Sequence, residues 1–296
     1  MKAFRTLAIA ALVGAGFLAP GAQAQIALSP PIVEVDLSGR SATESVRLIN
    51  MGTRDVEVSV RVEPFDLDEA NRYRSLPSTE DSLDRWMVVQ PGRFVVPAGQ
   101  SRAVRFSIRP KSKPAPGEHR AMLLFEEIAR ESEPTAMLKA LFRVGAAIYA
   151  HVGEVRRVGR VVSTSCTREG GLLEIASEGS ANARMTGRWG LWRASAFPGI
   201  GATTYSTAAA SPAEGARPAP PSELLFEGTL PTVLVLPGTR RKVLVPLPKE
   251  APEGDLVLHL LGTLGGAPLD LAVPCRLPAA TPAPESTPAP PAAPPR

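Results

Sequence analysis

Apolar and polar residues alternate along the first half of the chain in short runs that end at glycine or proline. Val33, Val35 and Leu37 occupy every second position of one run, which ends at Ser38 and Gly39. Alternation with a period of two is typical of a β-strand that buries one face. The pattern predicts strands over 32–37, 45–50, 56–62, 86–89, 94–96, 103–108, 119–128 and 137–152. Strands at this spacing favour an immunoglobulin-like sandwich, with a loop over the polar residues 65–82.

The second half repeats this pattern and predicts a second sandwich. Its strands are expected over 155–163, 172–176, 187–192, 224–230, 242–247, 256–263 and 268–275. The glycine-rich run from Gly262 to Gly266 lies between two of them and predicts a hairpin turn. Residues 198–222, rich in Ala, Pro, Ser, Thr and Gly, are interpreted as a loop inserted in this sandwich. We therefore predict an all-β protein of two immunoglobulin-like domains, over 25–152 and 153–278.

Proline is unusually frequent and argues against long helices. It accounts for 31 of the 296 residues, about twice its usual share, and it removes a backbone donor wherever it occurs. An all-helical fold or a doubly wound α/β fold is therefore not expected. Residues 279–296 are especially rich in proline, which predicts a disordered, extended tail.

The first 24 residues have the pattern of a secretory signal peptide. Lys2 and Arg5 precede an uncharged apolar stretch from Leu7 to Leu18, and Ala22-Gln23-Ala24 matches a small-residue cleavage site. This apolar stretch is too short to cross a bilayer as a helix. We expect cleavage after Ala24 and an exported mature chain without a transmembrane anchor.

Charge and motifs argue against several classes of function. Basic residues exceed acidic ones by only four, a small and scattered excess for a nucleic-acid-binding protein. No nucleophile elbow, zinc-protease motif or phosphate-binding loop occurs, and His119, His151 and His259 are not spaced as metal ligands. Glu126 and Glu127 are adjacent, so on a strand they point to opposite faces. We expect neither an enzyme, nor a metal site, nor a cofactor.

Two cysteines, Cys166 and Cys275, lie 109 positions apart in the second half. An oxidising compartment permits a disulfide between them if both lie on strands of one sandwich. Two buried thiols are the alternative, and the sequence leaves both open.

Four blocks occur in order in the first half. They run from Leu28 to Val35, Val46 to Gly52, Pro91 to Gln100, and Pro116 to Ile128. Together they resemble the periplasmic pilus-assembly chaperones, the PapD-like family, over residues 26–152. The second half matches more loosely, at Gly187-Arg188-Trp189 and Leu236-Pro237-Gly238-Thr239-Arg240.

The resemblance implies a periplasmic chaperone with a cleft between two immunoglobulin-like domains. Members of the family bind pilus or fimbrial subunits that lack their last strand, and lend a strand that completes the subunit's core. Such subunits are the expected partners, with an outer-membrane usher as a further candidate. The alternative function is a PapD-like scaffold or interaction module in the cell envelope that does not act as a chaperone.

By position, the lending strand begins at Met137. Its donated face would hold Leu138, Ala140, Phe142 and Val144, which share one face and are all apolar. The alternation is equally explained if these residues fill the core of their own domain. We therefore keep both interpretations at this point.

The residues that would anchor a subunit's terminal carboxylate depart from the family. Its two basic anchors correspond to Ile32 and Ala147, neither of which binds a carboxylate. Arg143 or Lys139 could replace them, because a basic side chain binds a carboxylate directly and arginine does so with two hydrogen bonds. The alternative is that both are solvated surface charges.

The contact between the two domains also departs from the family. Its acidic residue corresponds to Glu118, but the arginine partner corresponds to His151. The resemblance therefore implies an interdomain contact that is weaker or dependent on pH.

Overall fold

Strands supply nearly all of the regular structure in the part of the chain that the computed structural model describes. These residues are 26–37, 41–68, 71–110, 113–129, 141–203, 205 and 223–278. The predicted signal peptide, the proline-rich tail and most of the predicted insert at 198–222 lie outside them.

The first half folds into two facing sheets and a small hairpin. Its strands are β1 (Ile26–Ser29), β2 (Ile32–Asp36), β3 (Ala42–Asn50), β4 (Val56–Glu63), β5 (Phe65–Leu67), β6 (Tyr73–Ser75), β7 (Met87–Gln90), β8 (Arg93–Val96), β9 (Ser101–Ile108), β10 (Gly117–Glu127) and β11 (Arg143–Val152). One sheet has the order β1-β3-β9-β7 and the other β2-β11-β10-β4-β8. The chain thus passes from one sheet to the other between β1 and β2.

The core of this sandwich is built from the alternating apolar residues. Leu48 on β3, Phe106 on β9 and Leu123 on β10 are fully buried in one continuous cluster. Trp86, which ends a short 3-10 helix at Leu83–Trp86, closes the core beside β10. Burial of this many apolar side chains is the main stabilising contribution to the sandwich.

The second half forms another pair of sheets. Its strands are β12 (Gly159–Cys166), β13 (Gly170–Ser177), β14 (Ala183–Arg193), β15 (Leu224–Thr229), β16 (Val233–Val235), β17 (Arg240–Pro246), β18 (Gly254–Leu264) and β19 (Ala267–Leu277), with a 3-10 helix at Ala194–Ala196. One sheet has the order β12-β13-β17, the other β15-β14-β18-β19, and β16 pairs with β14. A separate apolar core lies between them.

The expected all-β fold of two immunoglobulin-like sandwiches is confirmed. The glycine-rich hairpin is confirmed as well, because Gly265 and Gly266, between β18 and β19, adopt positive φ angles of 62° and 83°. These angles favour glycine, the residue without a Cβ atom.

The strand expected over 137–152 begins at Arg143, because Leu141 and Phe142 are not in a strand and residues 137–140 lie outside the described ranges. Two further local predictions were wrong. Residues 65–82 are not only a loop, because they contain the hairpin of β5 and β6, whose apolar Phe65 is buried against the second sandwich. The strand expected over 155–163 instead begins at Gly159, and the preceding residues form a connection that bonds to Glu178 and Ser180. Contacts distant in sequence set both outcomes, and strand periodicity does not report them.

A disulfide joins the two sheets of the second sandwich. Cys166 ends β12 and Cys275 lies near the end of β19, with their Cα atoms 5.1 Å apart. Of the two alternatives left open by the sequence, the structure has the disulfide. It closes a loop of 109 residues, which restricts the unfolded chain strongly.

We predict that replacing both cysteines with alanine lowers the free energy of unfolding by about 4–5 kcal/mol, the chain-entropy estimate for a loop of this length. Urea unfolding of the mature protein measures the change. The wild type in reducing agent serves as the control and should lose a similar amount. An unchanged midpoint after reduction would contradict the prediction.

Candidate functional site

The ladder between β10 and β11 arranges the residues that face away from the core of the first sandwich. It runs without interruption from Glu126 opposite Arg143 to Gly117 opposite Val152. Because Leu123 and Phe125 point into the core, the even-numbered residues of β10 occupy the opposite face. We call this surface the outer face of β10 and β11.

At one end of the outer face, Glu118 contacts the second sandwich. Its Oε2 atom accepts hydrogen bonds from the backbone and side-chain nitrogens of Asn182, at 2.8 and 2.6 Å, and its own backbone N–H donates to Ser180 O at 2.9 Å. His151 is its neighbour across the ladder, with Nε2 3.6 Å from Oε2. The structure thus places Glu118 and His151 together at the contact with the second sandwich.

The carboxylate of Glu118 is fully buried, and its surroundings favour the charged form. Burial alone would raise its pKa, but the imidazole of His151, the two N–H groups of Asn182 and the charge of Arg120 outweigh burial, so the pKa is lowered. Asn182 was missed by the sequence analysis because nothing near it in the sequence indicates a partner 64 residues away.

Two further contacts join the sandwiches. Glu34 on β2 binds Arg157 at 3.0 Å and also pairs with Arg184, both from the second sandwich. Beside them, Tyr149 of β11 and Phe65 of the β5–β6 hairpin pack with Leu236 in a small apolar cluster. Polar and apolar contacts therefore hold the same sides of the two sandwiches together.

The middle of the outer face is apolar. Ile32 pairs with Ala147 across β2 and β11, so the two positions that the resemblance aligns with basic anchors are direct neighbours. Ile32 remains 43% exposed, and Met122, opposite Ala147 on β10, packs at the edge of the small apolar cluster. This part of the surface therefore favours an uncharged contact over a carboxylate.

At the other end of the outer face, Arg143 belongs to an ion-pair network. Its guanidinium lies 3.0 Å from Glu63 and 3.0 Å from Glu126, and Glu126 also binds Arg61 at 2.7 Å. The Arg143 side chain is half exposed, so the network is accessible to solvent. A partner carboxylate would have to compete with two carboxylates for Arg143.

Among the residues that the structure describes, no strand covers one side of the β11 backbone before Ala147. The Ala147 N–H donates to Pro31 O on the side of β2, while Phe142 O accepts from Glu127 on β10. Backbone groups alternate along a strand, so the N–H and C=O of Arg143 and Gly145 point to the same side as those of Ala147. In the described part of the chain, no strand pairs with β11 on that side before Ala147.

The residues proposed for the donated face divide into two groups. Phe142 and Val144 are partly buried against the core of their own sandwich, as the alternative interpretation expected. Leu138, Ala140 and the candidate anchor Lys139 lie outside the described residues. The donated face therefore stays a prediction.

The described residues contain no group of three or more side chains that could together hold a metal ion. No helix among them is long and apolar enough to span a membrane.

Several solved structures of pilus and fimbrial chaperones are similar to this chain. One chain of a chaperone–tip adhesin complex of CFA/I fimbriae biogenesis has 12% identity and a TM-score of 0.43, with 84% of this chain and 99% of that chain covered. The CsuC–CsuE chaperone–tip adhesion subunit complex of Acinetobacter baumannii matches with 11% identity and a TM-score of 0.43, and the match covers 86% of this chain and 99% of that chain. The SafA pilin–SafB chaperone complex of Salmonella enterica matches with 14% identity and a TM-score of 0.38, and the match covers 84% of this chain and 94% of that chain. No protein-family model and no curated protein matches the sequence.

We predict that Glu118→Gln makes the free energy of unfolding less dependent on pH below 4.5. Because the pKa of Glu118 is lowered in the folded protein, its contribution is complete above the ordinary value of 4.5 and is lost as the pH falls through the lowered value. The wild type should therefore lose unfolding free energy more steeply than the variant as the pH falls below 4.5. Urea unfolding at a series of pH values measures this.

Glu178→Gln provides the matched control, because Glu178 forms an exposed ion pair with Arg160 within the second sandwich. Exposed pairs contribute little to stability, so this variant should follow the wild-type profile. Parallel profiles for Glu118→Gln and the wild type would show that the buried carboxylate has no such effect.

Proposed function

We propose that this protein is a periplasmic chaperone that binds pilus, fimbrial or similar secreted subunits by pairing the open edge of β11 with a strand of the subunit. The observation that carries the proposal is that no described strand pairs with the outward side of Arg143 and Gly145. An unpaired strand edge binds an extended segment through backbone hydrogen bonds, and neighbouring side chains determine which segment fits. The ordered sequence blocks in residues 26–152 support the chaperone role.

The donated residues of the proposal are those that precede this edge along the chain. Leu138, Ala140 and Phe142 would enter the incomplete core of the subunit, and Val144 would continue that face into the chaperone's own core. The partial burial of Phe142 and Val144 is compatible with a strand that leaves its own sandwich near this point. No enzymatic step, metal or cofactor is part of the proposal.

The contacts between the two sandwiches are consistent with a binding site at β11. Glu118, Glu34 and the cluster around Tyr149 hold the second sandwich next to the outer face of β10 and β11. A subunit that pairs with β11 would therefore lie beside both sandwiches. This arrangement adds contact area to the backbone pairing.

The second candidate function is a scaffold or interaction module that retains the fold. The apolar pair of Ile32 and Ala147 favours it, because a chaperone of the PapD-like family would carry two basic anchors there. A scaffold would not need the open edge of β11 to bind a subunit, so the two functions differ in one measurable property.

We predict that Arg143→Pro reduces the yield of a co-purified subunit at least tenfold, whereas Arg143→Ala retains most of it. Both variants lose the ion pairs of Arg143, but only proline removes the N–H on the open edge and places a ring there. The measurement is co-expression in the periplasm with a pilin-like subunit from the same genome, followed by affinity purification of the chain.

Thermal unfolding of both variants checks that the first sandwich is intact. Because the Arg143 N–H lies on the open side of β11, proline removes no backbone hydrogen bond within the described residues, and only the steric effect of the ring should lower its stability below that of the alanine variant. Equal subunit yields from the proline and alanine variants would contradict strand pairing at this edge and favour the scaffold.

A further inference from the structure

A pocket of about 310 Å³ lies on the outer face of β10 and β11, beside the open edge. Met122 and Leu124 of β10 form its apolar wall, and Arg143 and Tyr73 form its polar rim. Its floor is the backbone of Gly145, directly opposite Leu124 in the ladder. The volume is at the lower end of the range for ligand sites, and it matches one large side chain better than a cofactor.

The glycine at position 145 is necessary for this pocket. A Cβ atom there would lie 2.7 Å from the Sδ atom of Met122 and 3.2 Å from Cδ2 of Leu124, so both side chains lean over the glycine. A larger residue at 145 would displace Met122 and fill the space. On this face of β11, Arg143 and Ala147 therefore flank a position that has no side chain of its own and whose space Met122 and Leu124 partly occupy.

Gly145 lies both at this pocket and at the open edge. A strand that pairs with β11 before Ala147 places one of its residues directly beside Gly145. Residues opposite one another on paired strands project their side chains from the same face of the sheet, only about 5 Å apart. The side chain of that partner residue would therefore project over Gly145 and reach the walls formed by Met122 and Leu124.

The chemistry of the walls selects the kind of side chain. The thioether of Met122 and the methyl groups of Leu124 favour an apolar ring, and sulfur–aromatic contacts add to the attraction. Arg143, at the rim, can stack on the face of such a ring. An aromatic residue beside a strand glycine covers the backbone that the glycine exposes.

A charged occupant fits this pocket poorly. Arg143 is already paired with Glu63 and Glu126, and Tyr73 donates its hydroxyl hydrogen to Glu63, so the charges at the rim are neutralised within the protein. A carboxylate entering the pocket would leave water for an apolar wall without gaining an unpaired cation.

We propose that the pocket over Gly145 binds an aromatic side chain of the partner segment that pairs with β11, and that this contact fixes the register of the pairing. The inference rests on the proposed function, because it names the chemistry that the open edge recognises. A shift of the partner by one residue would turn the aromatic side chain to the other face. The pocket therefore stabilises one register of the pairing over the register shifted by one residue.

The test uses capped threonine peptides with one central residue, phenylalanine or alanine, added to the isotope-labelled mature protein. Nuclear magnetic resonance titration gives the dissociation constants, and the amide signals of Arg143 and Gly145 report the location. We expect the phenylalanine peptide to bind roughly tenfold more tightly than the alanine peptide, since the ring buries additional apolar surface. Gly145→Leu should abolish that preference.

Gly92→Leu is the matched control, because a Cβ atom at Gly92 meets nothing within 4 Å and the residue lies away from the pocket, between β7 and β8. It should retain the preference. Met122→Ser is a second variant that keeps the glycine but removes the apolar wall, and it should also lose the preference. Thermal unfolding establishes which variants are folded.

Three outcomes would overturn the proposal. One is that the phenylalanine peptide binds no more tightly than the alanine peptide, which includes the absence of binding by either, and another is a preference that persists in both Gly145→Leu and Met122→Ser. The third is that phenylalanine amide alone binds as tightly as the peptide, which would assign the pocket to small aromatic molecules. Co-purification of a subunit with Gly145→Leu would support the chaperone function independently of the pocket. Equal subunit yields from Arg143→Pro and Arg143→Ala would contradict the chaperone function itself.

Discussion

The antiparallel ladder between β10 and β11 determines where every residue of the candidate site lies. Its register, from Gly117 opposite Val152 to Glu126 opposite Arg143, fixes three zones along one face of the sheet. Glu118 and His151 meet the second sandwich at one end, an apolar surface lies in the middle, and ion pairs occupy the other end. A one-residue slip would bury the charged row and expose the core, so the register is strongly specified.

The three zones differ in how firmly they are tied to the rest of the protein. Near His151, which lies opposite Glu118, β11 is paired with β2 on one side and with β10 on the other, and the second sandwich covers this end of the outer face. Beyond Ala147 towards Arg143, β11 has its neighbour on one side alone within the described residues. One strand therefore combines a fixed end with an end that can accept a partner. The fixed end supplies the orientation, and the open end supplies the hydrogen-bonding groups.

Periodicity predicted the strands well where one face is buried, as for β3, β9 and β18. It failed for the β5–β6 hairpin, because Phe65 is buried by contact with Tyr149 and Leu236, far away in the sequence. The same limit applies to the site. Glu118 and His151 could be named from the sequence through the family resemblance, but Asn182 could not. The pocket depends on the missing side chain of Gly145, and a single glycine in a strand gives no sign of what surrounds it.

An open strand edge invites pairing with any extended chain, including another copy of the same protein. The ion-pair network at the end of β11 bears on this hazard. Arg61, Glu63, Glu126 and Arg143 surround the point where a second copy would begin to pair, and pairing there would take two of these ion-pair networks out of water. Charged side chains at an edge discourage such self-association. Self-association at this edge would desolvate two such networks, whereas pairing with a strand of different sequence would desolvate only one, which disfavours the pairing of two copies.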